Sequence, residues 1–145
     1  MKLLLNCDGG SRGNPGPAAS GFVIQDISDL GLSRPQADAV KILEKCGNYL
    51  GVTTNNQAEY SGLIDGIKWV LVHYPEAMLE IKMDSLLIVN QVKGEFKVKH
   101  PDIIPRHREV MSLLSQLPSY TISYVPRAQN SLADELVNAA LDAQL

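Results

Sequence analysis

Four acidic residues occupy positions where a carboxylate is unfavourable unless it has a partner: Asp8, Glu59, Asp84 and Asp134. Asp8 and Asp84 each end an apolar run that predicts a strand. Glu59 lies about 40° around a predicted helix from Leu63, at the edge of its apolar stripe. Asp134 lies about 20° from Leu141 on another predicted helix. Because a carboxylate beside an apolar face costs free energy unless it is paired or coordinated, these acids are candidates for chemistry.

Each acid also has an ordinary structural explanation. An Asp at the end of a strand commonly caps a turn or a helix. Glu59 is also explained as a boundary residue whose tip reaches solvent. Residues 131–134 fit a capping box, in which an acid in the first turn satisfies free backbone amides. No single acid therefore decides the function.

Taken together, two strand ends from the middle of one sheet and two helix-borne acids are able to converge on one point. Four carboxylates there would repel one another and raise their pKa values, which divalent cations would relieve. Oxygen ligands without a Cys or His cluster favour Mg²⁺ or Mn²⁺ over Zn²⁺. Two such ions suit in-line displacement at phosphorus, where one activates the attacking water and the other stabilises the leaving oxygen.

The elements that would position these acids follow the order β-β-β-α-β-α-α-β-α. Hydrophobic periodicity and turn residues predict strands over 2–8, 18–27, 41–50, 79–84 and 120–125, and helices over 54–74, 85–92, 106–117 and from 131 onwards. Residues 28–40 are predicted to form a surface excursion. Helical crossovers favour parallel pairing of the last two strands, so the sequence predicts an α/β fold with a mixed five-stranded sheet in a single domain over residues 1–145.

Composition is that of an ordinary globular chain. The 145 residues are 45% apolar and 20% charged, which excludes a disordered or collagen-like protein. No apolar run approaches the roughly 20 residues of a membrane span. We find no export signal, and two cysteines are too few for a disulfide framework, so we expect a cytoplasmic protein with no membrane partner. The net charge of −3 gives no sign of a nucleic-acid partner, although residues 93–108 are locally basic.

Four segments, each with one of the acids, carry a resemblance to a known family. They are CDGGSRGNPG at 7–16, TTNNQAE at 53–59, MDS at 83–85 and NSLAD at 130–134. In this order, and over nearly the whole chain, they resemble type 1 ribonuclease H. The resemblance implies that Asp8, Glu59, Asp84 and Asp134 are the catalytic residues and metal ligands.

The resemblance further implies the ribonuclease H-like fold, with sheet order 3-2-1-4-5 and strands 1–3 antiparallel. The implied reaction is hydrolysis of the RNA strand of RNA–DNA hybrids with two Mg²⁺ ions, or Mn²⁺ instead, leaving 3′-hydroxyl and 5′-phosphate ends. We expect a monomer without an obligate protein partner. Contacts to the hybrid, read in the minor groove through its 2′-hydroxyls, fall on Gly10, Ser11, Arg12, Asn14, Asn55, Asn56 and Gln57, with Thr54 and Ser85 as weaker candidates for phosphate or the DNA strand.

Two departures from the family pattern affect this interpretation. Many members have a His in the loop before the last acid, but residues 125–130 contain none, and Arg127 and Gln129 are the alternatives. Some members carry an extra basic helix and protruding loop, for which residues 93–108 leave no room. We expect some of the hybrid contacts made by that protrusion to come instead from Lys93, Lys97, Lys99 and Arg106. Phe96 is expected to stack on a sugar. We expect weaker hybrid binding that falls steeply with salt.

Other functions stay open on the residues alone. The main alternative is a non-catalytic hybrid- or duplex-binding module on the same fold. A proofreading exonuclease would need an Asp-x-Glu pair on the first strand, and an actin-like ATPase would need a second domain. Finally, Cys7 and Cys46 are expected two strand spacings apart, roughly 9.5 Å, which exceeds disulfide reach, so both thiols are predicted to be free.

Overall fold

The computed structural model describes residues 1–31 and 41–145. Along these residues, strands and helices succeed one another in the predicted order. The strands are β1 (Lys2–Ser11), β2 (Gly16–Asp26), β3 (Lys41–Thr53), β4 (Met78–Met83) and β5 (Ser119–Tyr124). The α-helices are α1 (Asn55–His73), α2 (Leu86–Lys93), α3 (Ile104–Leu114) and α4 (Ser131–Asp142). Short 3-10 turns cover Ser28–Gly31 and Arg127–Asn130. Residues 32–40 of the predicted surface excursion lie outside the described residues.

The five strands form one mixed sheet in the order β3-β2-β1-β4-β5, which confirms the predicted topology. The first three strands pair antiparallel, whereas β4 pairs parallel with both β1 and β5. The chain enters β4 through α1 and passes from β4 to β5 through α2 and α3, because parallel strands need a long crossover. Since β1 and β4 are parallel neighbours, their carboxyl ends meet at the same edge of the sheet.

The two faces of the sheet are covered unequally. Residues such as Leu3 and Leu5 of β1 belong to a large core with α1, α2 and α3. Fully burying an aliphatic side chain of this kind contributes roughly 1.5–3 kcal/mol. The alternate residues of β1, including Asn6 and Asp8, face the opposite side, where α4 packs with only a small cluster of Ala19, Val137 and Leu141. The polar residues of β1 are thus kept away from the main core.

Several boundaries differ from the predicted ones, chiefly in the glycine-rich segment. Strand β1 continues to Ser11 because residues 9–11 pair with residues 18–20 of β2, so Gly10 and Ser11 lie on a strand rather than in a loop. Helix α3 begins at Ile104, with Pro105 in its first turn, where a missing backbone N–H costs nothing.

The predicted state of the cysteines is confirmed. Cys7 lies opposite Phe22 in β2, and Phe22 lies opposite Cys46 in β3, so a whole strand separates the two thiols. Both cysteines are free. Within the described part of the chain, no helix is long and apolar enough to cross a membrane.

Candidate active site

The carboxyl ends of β1 and β4 bring two of the predicted acids together. Asp8 lies in β1 and is only 8% exposed, and Asp84 directly follows β4. After burial, the charge of Asp84 is the strongest influence that raises the pKa of Asp8. The adjacency of two parallel strands therefore places these carboxylates as near neighbours.

Helix α1 brings Glu59 to the same place because a glycine lets the helix touch the strand. A Cβ atom at Gly9 would lie 2.2 Å from the backbone carbon of Ala58, so no other residue fits there without moving the helix. The helix start is fixed by Thr54, whose hydroxyl accepts a hydrogen bond from the Gln57 amide at 3.3 Å. Glu59 follows within the next turn.

Helix α4 brings the fourth acid from the other face of the sheet. A Cβ atom at Gly21 would lie 2.8 Å from the carbonyl oxygen of Ala133, which shows how closely α4 approaches β2. The helix starts at Ser131 with Asn130 in the capping position, so the proposed capping box between Ser131 and Asp134 is not formed. Instead, the Asp134 carboxylate accepts a bond from the Arg127 guanidinium at 3.3 Å.

All four acids line one cavity of about 370 Å³. Its wall also includes Gly9, Gly10, Ser11, Arg12, Asn55, Arg127, Val137, Asn138 and Leu141. Among residues 1–31 and 41–145, no three His, Cys, Asp or Glu side chains are already grouped as ligands for one ion. The acids therefore meet as neighbours in a shared cavity and not as a closed ligand set.

Electrostatic repulsion and burial act on the same carboxylates. Burial raises the pKa of Asp8 to about 8, with further increases from the charges of Asp84, Glu59 and Asp134, against a lowering by the Gly9 amide. Burial likewise raises the pKa of Glu59 to about 7; a hydrogen bond from Ser85 lowers this pKa and the charge of Asp84 raises it. The Oε2 atom of Glu59 is buried without a hydrogen-bond partner.

These features fit a divalent cation. The donors are carboxylate oxygens, which hard ions such as Mg²⁺ and Mn²⁺ prefer. A cation between the acids would lower both raised pKa values and give the Glu59 Oε2 atom a partner. We infer that Asp8, Glu59, Asp84 and Asp134 are suited to hold such ions.

Four of the predicted substrate contacts share the cavity with the acids: Gly10, Ser11, Arg12 and Asn55. The Asn55 Oδ1 atom accepts bonds from the Ser11 amide at 2.8 Å and from the Ser11 hydroxyl at 3.1 Å. The backbone N–H of Asn55 donates to Asn14 Oδ1 at 3.1 Å, which places Asn14 beside Ser11 and Asn55. Arg12 is paired with Asp142 of α4 at 2.6 Å.

The remaining predicted contacts lie outside that cavity. Gln57 lines a separate groove, where its Oε1 atom accepts bonds from the Thr53 hydroxyl at 2.8 Å and from Arg106 at 3.4 Å. Arg106 also donates to the Ser61 hydroxyl at 3.1 Å, so its side chain links α3 to α1 by hydrogen bonds. Asn56 is exposed, while Thr54 and Ser85 cap helices α1 and α2.

Two residues gain importance only in three dimensions. Arg127, left as one of two alternatives for the missing His, lines the acid cavity, whereas Gln129 does not. Asn130 is 1% exposed and donates to Asp84. Its position immediately before a helix indicates a cap, which is why the sequence pattern gave no sign of this contact.

Comparison with known proteins agrees with this geometry. Residues 6–140 match the family described as reverse transcriptase-like. The chain is 41% identical over 143 residues to the bifunctional protein Rv2228c of Mycobacterium tuberculosis, which covers 99% of this chain and 36% of that protein. The chain thus spans about a third of the length of this curated relative.

Two solved structures match over 99% of both chains. Ribonuclease H1 of Halobacterium salinarum is 34% identical with a TM-score of 0.85. LC11-RNase H1, whose structure is a complex with an RNA/DNA hybrid, is 35% identical with a TM-score of 0.86. The match of the family model over most of the sequence and these two similarities confirm the predicted relationship: the chain belongs to the type 1 ribonuclease H family.

Proposed function

We propose that residues 1–145 form one catalytic domain that hydrolyses the RNA strand of RNA–DNA hybrids, leaving 3′-hydroxyl and 5′-phosphate ends. The observation that carries the proposal is the single cavity lined by Asp8, Glu59, Asp84 and Asp134. These acids come from four separate stretches of chain, and a purely structural role for each would not require them to converge.

The four acids would hold two Mg²⁺ ions, or Mn²⁺ in their place. When bound, the ions supply polarisation of the attacking water and stabilisation of the charge on the leaving oxygen. Asp8 and Glu59 bring buried carboxylates whose raised pKa values reflect an arrangement poorly suited to an empty site. Arg127 is 76% exposed at its side chain and lines the same cavity, where its permanent charge suits contact with a phosphate.

Recognition of RNA would rest on two amide side chains of helix α1. The Asn55 and Gln57 oxygens both accept bonds from protein donors. In each amide the NH₂ group is therefore the end that remains for the substrate. A 2′-hydroxyl accepts such a bond, and DNA has no 2′-hydroxyl, so this arrangement favours the RNA strand.

Binding of the hybrid as the partner is supported by LC11-RNase H1, which was crystallised with an RNA/DNA hybrid. The end of α2 and the segment that follows it add exposed cations at Lys93, Lys97 and Lys99. Phe96 is 47% exposed in the same segment and is available to stack on a sugar. In the described structure, residues 94–103 form no helix, in agreement with the absence of the basic protrusion.

The test is a cleavage panel with purified protein. Substrates are an RNA–DNA hybrid, double-stranded RNA and a DNA duplex with one embedded ribonucleotide, each with Mg²⁺, Mn²⁺ or EDTA. We expect cleavage of the hybrid with either metal and none in EDTA. Polymerase extension detects the 3′-hydroxyl, and phosphatase-dependent kinase labelling detects the 5′-phosphate.

Hybrid binding measured by fluorescence anisotropy separates the alternatives. Protein that binds the hybrid but leaves its RNA intact with both metals would contradict the nuclease and favour the non-catalytic binding module. The matched control is Glu135→Gln, which changes an exposed carboxylate next to Asp134 that does not line the cavity. This variant should cleave like the wild type.

A further inference from the structure

Asn130 is a buried polar residue at the junction between the sheet and helix α4. It occupies the capping position of α4, and Asn is among the residues that most favour that position. Its side chain nevertheless makes no capping hydrogen bond. A residue that forgoes its usual local contact has its orientation set by something else in the fold.

The side chain of Asn130 is directed into the sheet by three hydrogen bonds. Its Nδ2 atom donates to the Cys7 carbonyl at 2.9 Å and to Asp84 Oδ1 at 3.3 Å. Its Oδ1 atom accepts from Asn6 Nδ2 at 3.2 Å. The amide therefore bridges β1, the residue after β4 and the start of α4.

This network connects every element that carries an acid except α1. Cys7 immediately precedes Asp8, and the helix that starts after Asn130 carries Asp134. Asn130 is 1% exposed and Asn6 is 9% exposed, so both amides make these bonds largely away from solvent. The network is well placed to fix the distances between three carboxylates that repel one another.

We propose that Asn130 is a positioning residue that orients the Asp84 carboxylate and sets its spacing from Asp8 and Asp134 for metal binding. Asn130 makes no contact with the substrate; it acts through Asp84. Both Nδ2 hydrogens are used, so the geometry requires a double donor at this position. The proposal rests on the proposed function for its catalytic readout, but metal binding tests it separately.

The experiment compares Asn130→Ala and Asn130→Asp with the wild type. Asn130→Asp keeps the shape of the side chain but, when ionised, loses both donated bonds and adds a charge beside Asp84. Loss of a residue that orients a metal ligand typically costs roughly 10- to 100-fold in metal affinity or activity. We expect a loss of this size in Mn²⁺ affinity by calorimetry and in kcat, with the KM for the hybrid changed less than threefold.

Two further variants separate positioning from packing. Asn6→Ala removes only the bond to Asn130 Oδ1, so its loss should be smaller than that of Asn130→Ala. Ser131→Ala alters the exposed neighbouring position at the start of α4 and should leave Mn²⁺ affinity unchanged. A thermal melt establishes which variants are folded, and Asn130→Asp serves if Asn130→Ala is not.

The outcomes separate the two proposals. Folded Asn130 variants with wild-type Mn²⁺ affinity would overturn the positioning role, whether or not the wild type cleaves the hybrid. A rise in the KM for the hybrid as large as the expected loss in kcat, with kcat itself unchanged, would also overturn the positioning role, because that pattern indicates substrate binding. If the wild type binds Mn²⁺ but cleaves nothing, a weakened affinity in the variants still supports the role of Asn130, and only the nuclease proposal fails.

Discussion

Two neighbouring regions of the molecule satisfy their polar groups in opposite ways. The acid cluster, Asp8, Glu59, Asp84 and Asp134, contains buried carboxylates with raised pKa values and one buried oxygen without a partner. The recognition network comprises two sets of residues held by hydrogen bonds within the chain: Ser11, Asn14 and Asn55 in one, and Gln57 and Arg106 in the other. The first region is left incomplete, whereas the second is already organised.

The difference reflects what each region is proposed to bind. A divalent cation brings enough charge to offset the repulsion of several carboxylates and to supply a partner for the Glu59 Oε2 atom, which has none within the chain. A 2′-hydroxyl offers only ordinary hydrogen bonds, each with a net contribution of about 0.5–1.5 kcal/mol. Such weak contacts discriminate well only if the protein groups are fixed beforehand. Substitutions in the two regions should therefore have different signatures.

The largest effect is expected for Asp8→Asn in the acid cluster. Metal ions supply several kcal/mol of charge stabilisation, and 1.36 kcal/mol corresponds to a factor of ten in rate. We expect hybrid cleavage to fall roughly 1,000-fold or more, measured as kcat with Mg²⁺. Asp134→Asn should lose less, because its amide can still orient water. Wild-type turnover in Asp8→Asn would remove this residue from the catalytic set.

Gly9→Ala should affect both regions together, because Gly9 lies between them. The added Cβ would meet the backbone of Ala58 at 2.2 Å and push α1 away from β1. We expect a loss of roughly 3 kcal/mol in the free energy of unfolding, at the upper end of overpacking effects. At the adjacent Gly10, a Cβ would make only ordinary contacts at 3.9 Å or more, so Gly10→Ala is the control. Equal chemical denaturation curves for the two variants would contradict the close approach of α1.

The acid cluster should also make the stability of the metal-free protein depend on pH. The pKa of Asp8 is raised from 3.8 to about 8, so the folded state binds this proton more tightly than the unfolded state does. Its contribution to stability is full below the unfolded pKa and is lost as the pH rises through the folded pKa. Thermal melts in EDTA should therefore give a melting temperature that falls between about pH 4 and about pH 8.

Asp8→Asn tests the origin of that pH dependence. In the variant, the melting temperature should fall less steeply with pH. Near pH 8 without metal, the variant should be at least as stable as the wild type, because one repelling charge is gone. Saturating Mg²⁺ should restore the stability of the wild type near pH 8, since a ligand that binds the folded state stabilises it. A fall of the same steepness in the variant would place the titrating group elsewhere.

The smallest effect is expected in the recognition network, for Arg106→Met. This change removes the contacts to Gln57 and Ser61, so the Gln57 amide loses one of the bonds that orient it. We expect the KM for the hybrid to rise about two- to tenfold with little change in kcat, as for the loss of one hydrogen bond. Lys68→Ala removes another contact between α1 and α3, the exposed pair with Glu109, and should leave KM unchanged. A drop in kcat instead would tie Arg106 to the acid cluster.

Much of this arrangement follows from the sequence because the signals are local. The helical period between Tyr60 and Tyr74 and the apolar runs predict the elements, and the acids at their ends predict the cluster. Three features escaped because distant contacts decide them. Glycines at 9 and 10 are typical of a loop, yet β2 pairs with them. Asn130 resembles a helix cap, yet the sheet binds it. Arg106 resembles a surface cation, yet α1 holds it.

The division of the acids along the chain has a practical consequence. Asp8, Glu59 and Asp84 precede the mostly exposed segment 94–102, whereas Asp134 follows it. The parts of the chain before and after this segment pack extensively against each other. Strand β5 pairs with β4, α3 packs against α1, and α4 packs on β2 and β3. A protease that cuts after Lys97 or Lys99 would therefore leave two fragments with extensive complementary surfaces, which suits the molecule to fragment complementation.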